Sequence, residues 1–241
     1  MLTIAGFNWP FYAAALAVVV ASLFGLCASS LTMKLFSAAA FVGAGYFLAG
    51  SLGVSHLVYD RSDLYRWDWL DRALRGANFR RAIFCHCGFD ETSEALRERY
   101  SEIEWLTLDH FDERRMTEAS IRRARSKYPP APDTLPCPYD HWTAPDDTAD
   151  LVLGLLAIHE LRSETERHVW FSEARRCLAR DGRIVLVEHL RDLPNFIAFG
   201  PGFLHFHSRE SWRSAWEDGG FFLHDEFGVT PWVRVFVLVP A

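Results

Sequence analysis

Ala149-Asp-Leu-Val-Leu-Gly-Leu-Leu156 is an almost continuous apolar run, with the length of an ordinary strand and the composition of one buried on both faces. The residues after it predict a helix over 164–178, a stop at Arg180-Asp-Gly182 and a second apolar strand over 183–188. Strands that alternate with helices favour a mainly parallel sheet with helices on both faces. Residues 149–188 therefore predict an α/β fold.

The same alternation extends in both directions and covers residues 82–241. Two more strands and two helices are predicted before residue 149, and a helix and two strands after residue 188. The last two strands are close enough in sequence to form a hairpin. In the helix predicted over 116–128, the arginines at 122, 123 and 125 are expected to face solvent. The predicted strands are 82–86, 104–109, 221–227 and 233–239, and the predicted helices are 92–100, 116–128 and 209–218.

The first 59 residues differ sharply in composition from the rest of the chain. Lys34 is their only charged residue, and the other 55 of the 56 charged residues lie in 60–241. Two apolar runs, 9–29 and 35–59, each reach the ~20 residues that a helix needs to cross a bilayer. No positive segment precedes the first run, so a cleaved signal peptide is not expected. Residues 1–59 therefore predict a transmembrane helical hairpin.

Arginines directly after the second run determine the predicted orientation. Six lie between Arg61 and Arg81, whereas the loop between the two runs contains only Lys34. The positive-inside rule places both termini and the globular domain in the cytoplasm. We therefore expect an integral membrane protein of a bacterial inner membrane, with the lipid bilayer as a partner.

Small residues recur at helical spacing within both apolar runs and let helices approach closely in lipid. Two interpretations remain open: these stripes pack the hairpin on itself, or they dock it onto another membrane protein. The stripes are Ala13, Ala17, Ala21 and Gly25 in the first run, and Gly45, Ala49 and Gly53 in the second.

Residues 60–81 link the hairpin to the globular domain, and their apolar side chains also recur at helical spacing. Leu64, Trp67, Leu70 and Leu74 are three or four residues apart, with charged residues between them. One interpretation is an amphipathic helix in the lipid headgroup region, with Trp67 and Trp69 as anchors. The other is a helix that leads into the domain and packs on it.

Charge and cysteine content exclude several classes of protein. Residues 60–241 contain 24 basic and 31 acidic residues, which fits neither a disordered chain nor a basic nucleic-acid binder. The five cysteines are too scattered for a disulfide framework. Cys85-His86-Cys87 lacks a second cysteine pair at zinc-finger spacing. No metal site is predicted, although five other residues are of types that bind metals: His159, Glu188, His189, His205 and His207.

In their order and motifs, residues 82–241 resemble a class I S-adenosylmethionine-dependent methyltransferase. The most specific part runs from Ala149 through the helix ending Glu173-Ala-Arg-Arg-Cys-Leu178 to the strand ending at Glu188. The Gly-Gly-Phe at 219–221, followed by two strands, is similar to the end of that family. The resemblance implies a Rossmann-like, seven-stranded, mainly parallel sheet with a reversed last strand. It also implies S-adenosyl-L-methionine as the cofactor.

The resemblance also assigns cofactor-binding residues by position. His86 and Gly88 lie in the loop after the first strand, where Gly88 is the only one of the usual glycines left and Phe89 is bulky. Asp109 ends the second strand and matches the acid that binds the ribose hydroxyls. Asp140 is expected near the adenine amine, a polar role for which Asp146 and Asp147 compete, and His141 or Trp142 is expected to pack on the adenine ring. Leu156 begins the floor beneath the methionine part of the cofactor, which continues to His159.

Titratable residues crowd the expected carboxyl ends of the strands, where ligands of such sheets bind. His159 and His189 are the candidate general bases, because histidine accepts a proton near neutral pH. His205 and His207 are expected to close over this rim. The alternative interpretation is that each histidine has only a structural role. Methyl transfer from a sulfonium is also possible without a general base, because desolvation and in-line positioning can supply most of the rate. The rim also includes His86, Asp109, Glu160 and Glu188.

The leading hypothesis is a membrane-anchored methyltransferase acting on a lipophilic small molecule such as a quinone, an isoprenoid or a lipid. An aromatic loop is expected to line the acceptor pocket. The rival hypothesis is a non-catalytic methyltransferase-like subunit of a membrane complex. A dinucleotide-dependent oxidoreductase is disfavoured, because residues 85–90 lack the Gly-x-Gly-x-x-Gly fingerprint. The aromatic residues of the loop are Phe196, Phe199, Phe203 and Phe206, together with Trp212.

Overall fold

A computed structural model describes residues 2–76 and 79–241. Within these residues, seven strands form one sheet in the order β3-β2-β1-β4-β5-β7-β6. β7 is antiparallel to both of its neighbours, and the other paired strands are parallel. This confirms the predicted mainly parallel sheet with a reversed last strand. The strands are β1 (Arg81–His86), β2 (Glu104–Asp109), β3 (Leu135–Pro136), β4 (Ala149–Leu155), β5 (Leu178–His189), β6 (Phe221–Thr230) and β7 (Val233–Pro240).

α5, α6, α7 and α9 agree with the predicted helices to within a few residues, whereas α8 lies in the segment that was predicted to be an aromatic loop. α7 begins with a capping box, in which the side chain of Ser163 accepts from the backbone N–H of Glu166 and the Glu166 carboxylate accepts from that of Ser163. The helices are α1 (Leu2–Phe7), α2 (Trp9–Leu26), α3 (Leu31–His56), α4 (Asp68–Ala73), α5 (Ser93–Arg99), α6 (Ala119–Lys127), α7 (Glu164–Cys177), α8 (Leu193–Phe199) and α9 (Arg209–Asp218).

Both faces of the sheet are covered, so its central strands are buried on both sides. Leu151, Val152 and Leu153 of β4 are all fully buried, as the apolar run at 149–156 predicts. One face packs against α7 and α9 through side chains such as Trp170. The other face packs against the segment that enters the domain.

That entering segment is not one helix over 60–81. A π-helical turn, Leu57–Arg61, extends α3, and α4 has only six residues. Trp67 and Trp69 are 5% and 6% exposed in the core beneath the sheet, and Leu64 is fully buried there. Their burial corrects the headgroup-anchor interpretation and agrees with packing on the domain. An apolar stripe has the same spacing whether it faces lipid or protein, so the sequence left both possibilities open.

Two helical segments, α2 and residues 31–61, are long and apolar enough to cross a membrane. In the 18-residue apolar stretch of each, only 6% and 11% of the residues are buried within the protein. The two segments contact each other through a polar seam, in which Tyr12 Oη lies 3.0 Å from Ser51 Oγ and Gly25 lies against Ser37. The alanines of the first stripe, with Ala49 and Gly53 of the second, are exposed. Except at Gly25, the predicted stripes therefore do not form the contact within the hairpin.

Candidate functional site

The carboxyl ends of β1, β2, β4 and β5 meet along one edge of the sheet, because these strands are parallel. His86 at the end of β1 is in register with Asp109 at the end of β2. β5 ends with Glu188 and His189. We refer to the β1–β2 half of this edge, around Asp109, and to the β4–β5 half, around His159.

Asp109 organises the β1–β2 half. Its Oδ1 accepts hydrogen bonds from the backbone N–H of Gly88 at 2.8 Å and of Phe111 at 3.1 Å, and its Oδ2 pairs with Arg125 Nη1 at 2.5 Å. Gly88 has φ +91°, a left-handed conformation that favours glycine. The structure thus brings together two residues that the resemblance assigns to cofactor binding. However, Asp109 is only 3% exposed, and both of its carboxylate oxygens already have partners.

Aromatic side chains cover this pair. Phe111 lies so close to the glycine that a Cβ there would be 2.6 Å from the ring. The Arg125 guanidinium lies 4.5 Å from the centre of the same ring. Phe7 of α1 packs edge-on against Phe89 and Tyr128, with ring centres 5.3 Å and 6.2 Å apart. The N-terminal helix therefore covers the loop that follows β1.

Two buried imidazole nitrogens at this edge have no hydrogen-bond partner among the described residues. They are Nε2 of His86 and Nε2 of His110. Burial lowers the pKa of both rings, that of His110 to about 4, so both are neutral near pH 7. Unpaired buried nitrogens are costly, and together with Asp109 they offer polar partners to a bound molecule. The polar groups fit S-adenosyl-L-methionine, but Arg125 and Phe111 must move to admit it.

The loop after β3 brings Trp142 to this edge, with its ring centre 5.3 Å from that of His110, but it does not bring Asp140 or His141 there. Asp140 and His141 are exposed, and Asp146 forms an ion pair on the surface. Trp142 is buried instead, with its ring 5.4 Å from that of Trp170. Burial of this large indole turns the two polar residues before it outward. The geometry therefore does not support Asp140 and His141 as adenine contacts.

Leu156 turns the chain where β4 ends. It has φ +50°, a left-handed conformation that is rare for a residue with a Cβ, and its N–H donates to Val187 of β5 at 2.8 Å. A 3-10 turn, Ile158–Glu160, follows and carries His159 to the end of β5. Leu156 thus lies at the floor of the β4–β5 half, and its contact with a cofactor stays a prediction.

Glu188 fixes both the position and the tautomer of His159. The fully buried carboxylate lies 2.7 Å from His159 Nδ1, and it also accepts from the His159 backbone N–H at 3.2 Å. A carboxylate accepts hydrogen bonds, so Nδ1 is the donor here, and in the neutral ring the lone pair is on Nε2. Nε2 lies 3.9 Å from Glu160 Oε1, too far for a hydrogen bond.

His205 completes this half of the edge. Its ring centre is 5.1 Å from that of His159, and its Nδ1 lies 3.2 Å from Glu118 Oε1. Its Nε2 is 3.5 Å from Glu160 Oε1. Burial alone would lower the pKa of His205, but the two carboxylates outweigh it and raise this pKa to about 9. The expected closure by His205 is therefore seen, whereas His207 is buried behind the edge beside Trp212.

His189 has partners on both ring nitrogens. Nδ1 lies 2.9 Å from the carbonyl oxygen of Trp232, to which it donates, so Nε2 accepts from the Tyr59 hydroxyl at 3.1 Å. Burial lowers the pKa of His189 to about 4. Phe206 stacks on the ring at 4.8 Å between centres. Of the two candidate bases, the structure therefore favours His159, and His189 connects the end of α3 to the site.

Sequence reasoning missed Glu118, Arg125 and Tyr59 as members of this region. Arg125 was expected to face solvent with Arg122 and Arg123, but it reaches Asp109 from the side of α6. Glu118 is the extended residue directly before α6, and its carboxylate reaches His205 instead. Nothing in the sequence around Glu118 indicates that pairing. Nothing in the sequence around Tyr59 indicates that its hydroxyl would reach His189.

No family model and no curated protein matches this sequence. Solved structures do match. A SAM-dependent methyltransferase from Aquifex aeolicus has a TM-score of 0.56, with 13% identity, over 78% of this chain and 93% of that chain. A second match is geranyl diphosphate C-methyltransferase from Streptomyces coelicolor, solved with Mg²⁺, geranyl diphosphate and S-adenosyl-L-homocysteine. Its TM-score is 0.53, with 12% identity, over 73% of this chain and 78% of that chain.

A third neighbour was solved with a protein partner. It is a Haloferax volcanii complex of the Trm112 methyltransferase activator with the methyltransferase assigned to it, with a TM-score of 0.51 and 16% identity, over 81% of this chain and 97% of that chain. Identities this low establish a shared fold and no more. This chain therefore has the fold of the class I S-adenosylmethionine-dependent methyltransferases, a seven-stranded sheet with a reversed β7.

Proposed function

We propose that this chain is a membrane-anchored S-adenosylmethionine-dependent methyltransferase that acts on a lipophilic small molecule. One observation carries the proposal: the reactive edge of the sheet lies at the base of the hairpin. The Tyr59 hydroxyl, directly after α3, bonds His189 at the end of β5. Tyr46 in the middle of α3 donates to the carbonyl oxygen of Ile197 in α8 at 2.9 Å. A molecule that leaves the bilayer beside α3 would therefore meet this edge first.

The surface beside the hairpin supports a bilayer as the partner. α8 and the turn after it expose Leu193, Phe196, Ile197 and Leu204, each at least 47% exposed. α3 packs against α8, so this apolar surface is continuous with the exposed apolar side chains of the hairpin. An exposed apolar surface of this kind is typical of a site that contacts a membrane or another protein. We infer that α8 lies at the membrane surface with its apolar side in lipid.

The aromatic loop supports an apolar acceptor. Phe199 and Phe206 pack around His189, and Phe206 also lies 6.1 Å from the ring of His159. Phe196 pairs with Phe203 nearer the surface. These rings lie between the apolar surface and His159 and give an apolar acceptor a hydrophobic surface to pack on. Trp212 is not part of this lining, because it is fully buried on the other side of His207.

The chemistry needs few protein groups. S-adenosyl-L-methionine supplies a methyl group on a sulfonium, and Asp109 and Gly88 would hold it once Arg125 has moved. His159 Nε2 has the free lone pair that accepts a proton from an acceptor oxygen or nitrogen. Glu188 stabilises the resulting imidazolium through Nδ1, because the pair is buried and charge-assisted. A quinol, an isoprenoid or a lipid precursor fits this description.

The first test is calorimetric titration of the full chain, in mild detergent, with S-adenosyl-L-methionine. Asp109→Asn keeps the side-chain shape but loses the charge that the ribose hydroxyls need. Asp150→Asn is the matched control, because Asp150 also accepts two backbone N–H groups but lies at the amino end of β4. Saturable binding that is lost only in Asp109→Asn supports the proposal. Binding that is absent, or equal in both variants, contradicts it.

A second candidate function is a non-catalytic subunit of a membrane complex. The saturated Asp109 carboxylate and the aromatic cover over Gly88 favour it, because a cofactor site without a cofactor is free to fill with side chains. The exposed small residues of α2 and α3 offer a surface for a membrane partner. Well-folded protein that binds no cofactor, and that purifies in fixed ratio with another membrane protein, would favour this function.

A further inference from the structure

The β4–β5 half holds a cluster of metal-ligating side chains, of which the proposed reaction uses only one. One ligand atom from each of His159, Glu160 and His205 lies within 4.8 Å of the other two. His205 Nε2 and His159 Nε2 are 3.5 Å and 3.9 Å from Glu160 Oε1. Ligands around a tetrahedral zinc ion are roughly 3.3 Å apart, since each bond is about 2.0–2.1 Å. We propose that these three side chains bind one divalent transition-metal ion.

The two imidazoles are oriented for this role by carboxylates on their other nitrogens. Glu188 lies 2.7 Å from Nδ1 of His159, and Glu118 lies 3.2 Å from Nδ1 of His205. Both Nε2 atoms are thereby directed toward Glu160. Metal-binding histidines commonly donate their second ring N–H to a carboxylate, which fixes the tautomer and strengthens the ligand. Here both histidines have such a partner, supplied by β5 and by α6.

Arg162 connects the backbones of the two histidines. Its Nη1 donates to the carbonyl oxygen of His159 at 3.3 Å and to that of His205. Residues 159 and 205 are far apart in sequence, so this bridge keeps the two imidazoles at a fixed separation. Three carboxylates surround the two imidazoles, and Arg162, whose Nη1 is also 3.4 Å from His205 Nδ1, is the one guanidinium among them, so the cluster stabilises an added positive charge. The cluster is completed by Glu118, Glu160 and Glu188.

The ligand set indicates the kind of ion. Imidazole nitrogen favours zinc, iron, cobalt or copper over magnesium and calcium, which prefer oxygen ligands. Three protein ligands leave a further position open for water or a substrate. The three side chains are 11%, 12% and 25% exposed, so an ion can reach them from solvent.

Ion binding does not rest on the proposed methyl transfer, although both concern the same edge. An ion on His159 Nε2 would occupy the lone pair that otherwise accepts the acceptor proton. Activation of an acceptor oxygen would then fall to the ion as a Lewis acid. Without an ion, His205 is an imidazolium between two carboxylates. These two states are distinguished by a measurement that needs neither cofactor nor acceptor.

The test uses the full chain with a streptavidin-binding tag rather than a polyhistidine tag, in mild detergent and treated with a chelator. Co²⁺ is added, and its visible absorption reports ligand geometry directly. The expected result is one equivalent bound, with absorption that Zn²⁺ abolishes by displacement. An absence of visible absorption in the wild-type chain would overturn the proposal, and this outcome requires no variant.

Variants then locate the ion. His205→Ala and Glu160→Gln are each expected to weaken Co²⁺ binding by roughly tenfold or more. Glu118→Gln, on the half-exposed outer partner of His205, is expected to weaken it to a smaller extent and is the variant least prone to unfold. His224→Ala, an exposed histidine on β6, is the control and should bind as the wild type does. Equal binding by His205→Ala and the wild type would place the ion elsewhere and overturn the proposal.

Discussion

Replacement of Arg125 by methionine tests how the β1–β2 half admits a cofactor. Arg125 Nη1 pairs with Asp109 Oδ2, and the guanidinium covers Phe111. A ribose that binds Asp109 must displace this guanidinium, so the free energy of the ion pair opposes cofactor binding. A hydrogen bond to a charged group contributes about 1.5–3 kcal/mol. Because the Arg125 side chain is 28% exposed and water can replace its partner, we take the lower end of that range.

At about 1.4 kcal/mol for each factor of ten, Arg125→Met is expected to tighten S-adenosyl-L-methionine binding about tenfold. The same change is expected to lower the free energy of unfolding, because buried Asp109 loses its countercharge. Calorimetry measures the affinity, and denaturation followed by tryptophan fluorescence measures the stability. Arg122→Met, exposed on the same helix, is the matched control and should change neither. Equal or weaker cofactor binding by Arg125→Met would refute the idea that Asp109 receives the ribose after Arg125 leaves.

Four further predictions concern other contacts. Phe7→Ala removes the ring that packs on Phe89 and Tyr128 and is expected to speed cofactor association in stopped-flow fluorescence; an unchanged rate would show that α1 does not limit access. Glu188→Gln is expected to slow methyl transfer roughly 10- to 100-fold and to leave the cofactor affinity unchanged. The rate is measured as transfer of a labelled methyl group, and full activity would exclude His159 as the base. Burial lowers the pKa values of His110, His189 and His207 to about 4, 4 and 3, so between this range and pH ~6.5 protons bind the unfolded state and not the folded one. The free energy of unfolding is therefore expected to fall below pH ~6.5, by about 2 kcal/mol for each histidine at pH 5. The measurement is the melting temperature, and a melting temperature that does not change from pH 7 to 5 would contradict the prediction. A spin label at Ile197→Cys, in a Cys27→Ser background, is expected to be relaxed by molecular oxygen dissolved in lipid. A control label at the exposed Asp181→Cys should be relaxed by a water-soluble agent. Equal relaxation of the two labels would place α8 in water.

Much of the fold is predictable from the sequence because burial on both faces leaves a strong local pattern. The apolar run at 149–156 and the hairpin before Pro240 each depend on residues close together in the chain, whereas the predicted stop at 180–182 lies inside β5, which begins at Leu178. The two apolar helices are equally visible, since only Lys34 interrupts 59 residues without charge. The segment at 60–81 was ambiguous for the opposite reason. Its spacing records that one side is apolar and does not record what covers that side.

The site was predictable in position and much less so in the state of its residues. Asp109 and Glu188 are both acids near the carboxyl end of a strand, and the sequence places both at one edge of the sheet. Their partners come from elsewhere in the chain: Arg125 from α6 for the first, and His159 from the turn after β4 for the second. The burial of Trp142 determines which way its loop faces, and the adenine contacts assigned to Asp140 and His141 stay predictions.

Partners distant in sequence also explain why one edge has two halves in different states. The β4–β5 half contains polar groups that hold each other in an arrangement with a free lone pair on His159. The β1–β2 half is covered by Arg125 and by α1, whose Phe7 accepts from Arg123 at 2.6 Å through its carbonyl oxygen. Because α1 ends only two residues before α2 begins, any movement that uncovers the loop after β1 must be accommodated at the start of the first apolar helix. The proposed membrane anchoring of α2 would therefore couple access to Asp109 to the bilayer, and we expect a cofactor titration in detergent and in a lipid bilayer to give different affinities. Equal affinities would contradict this coupling.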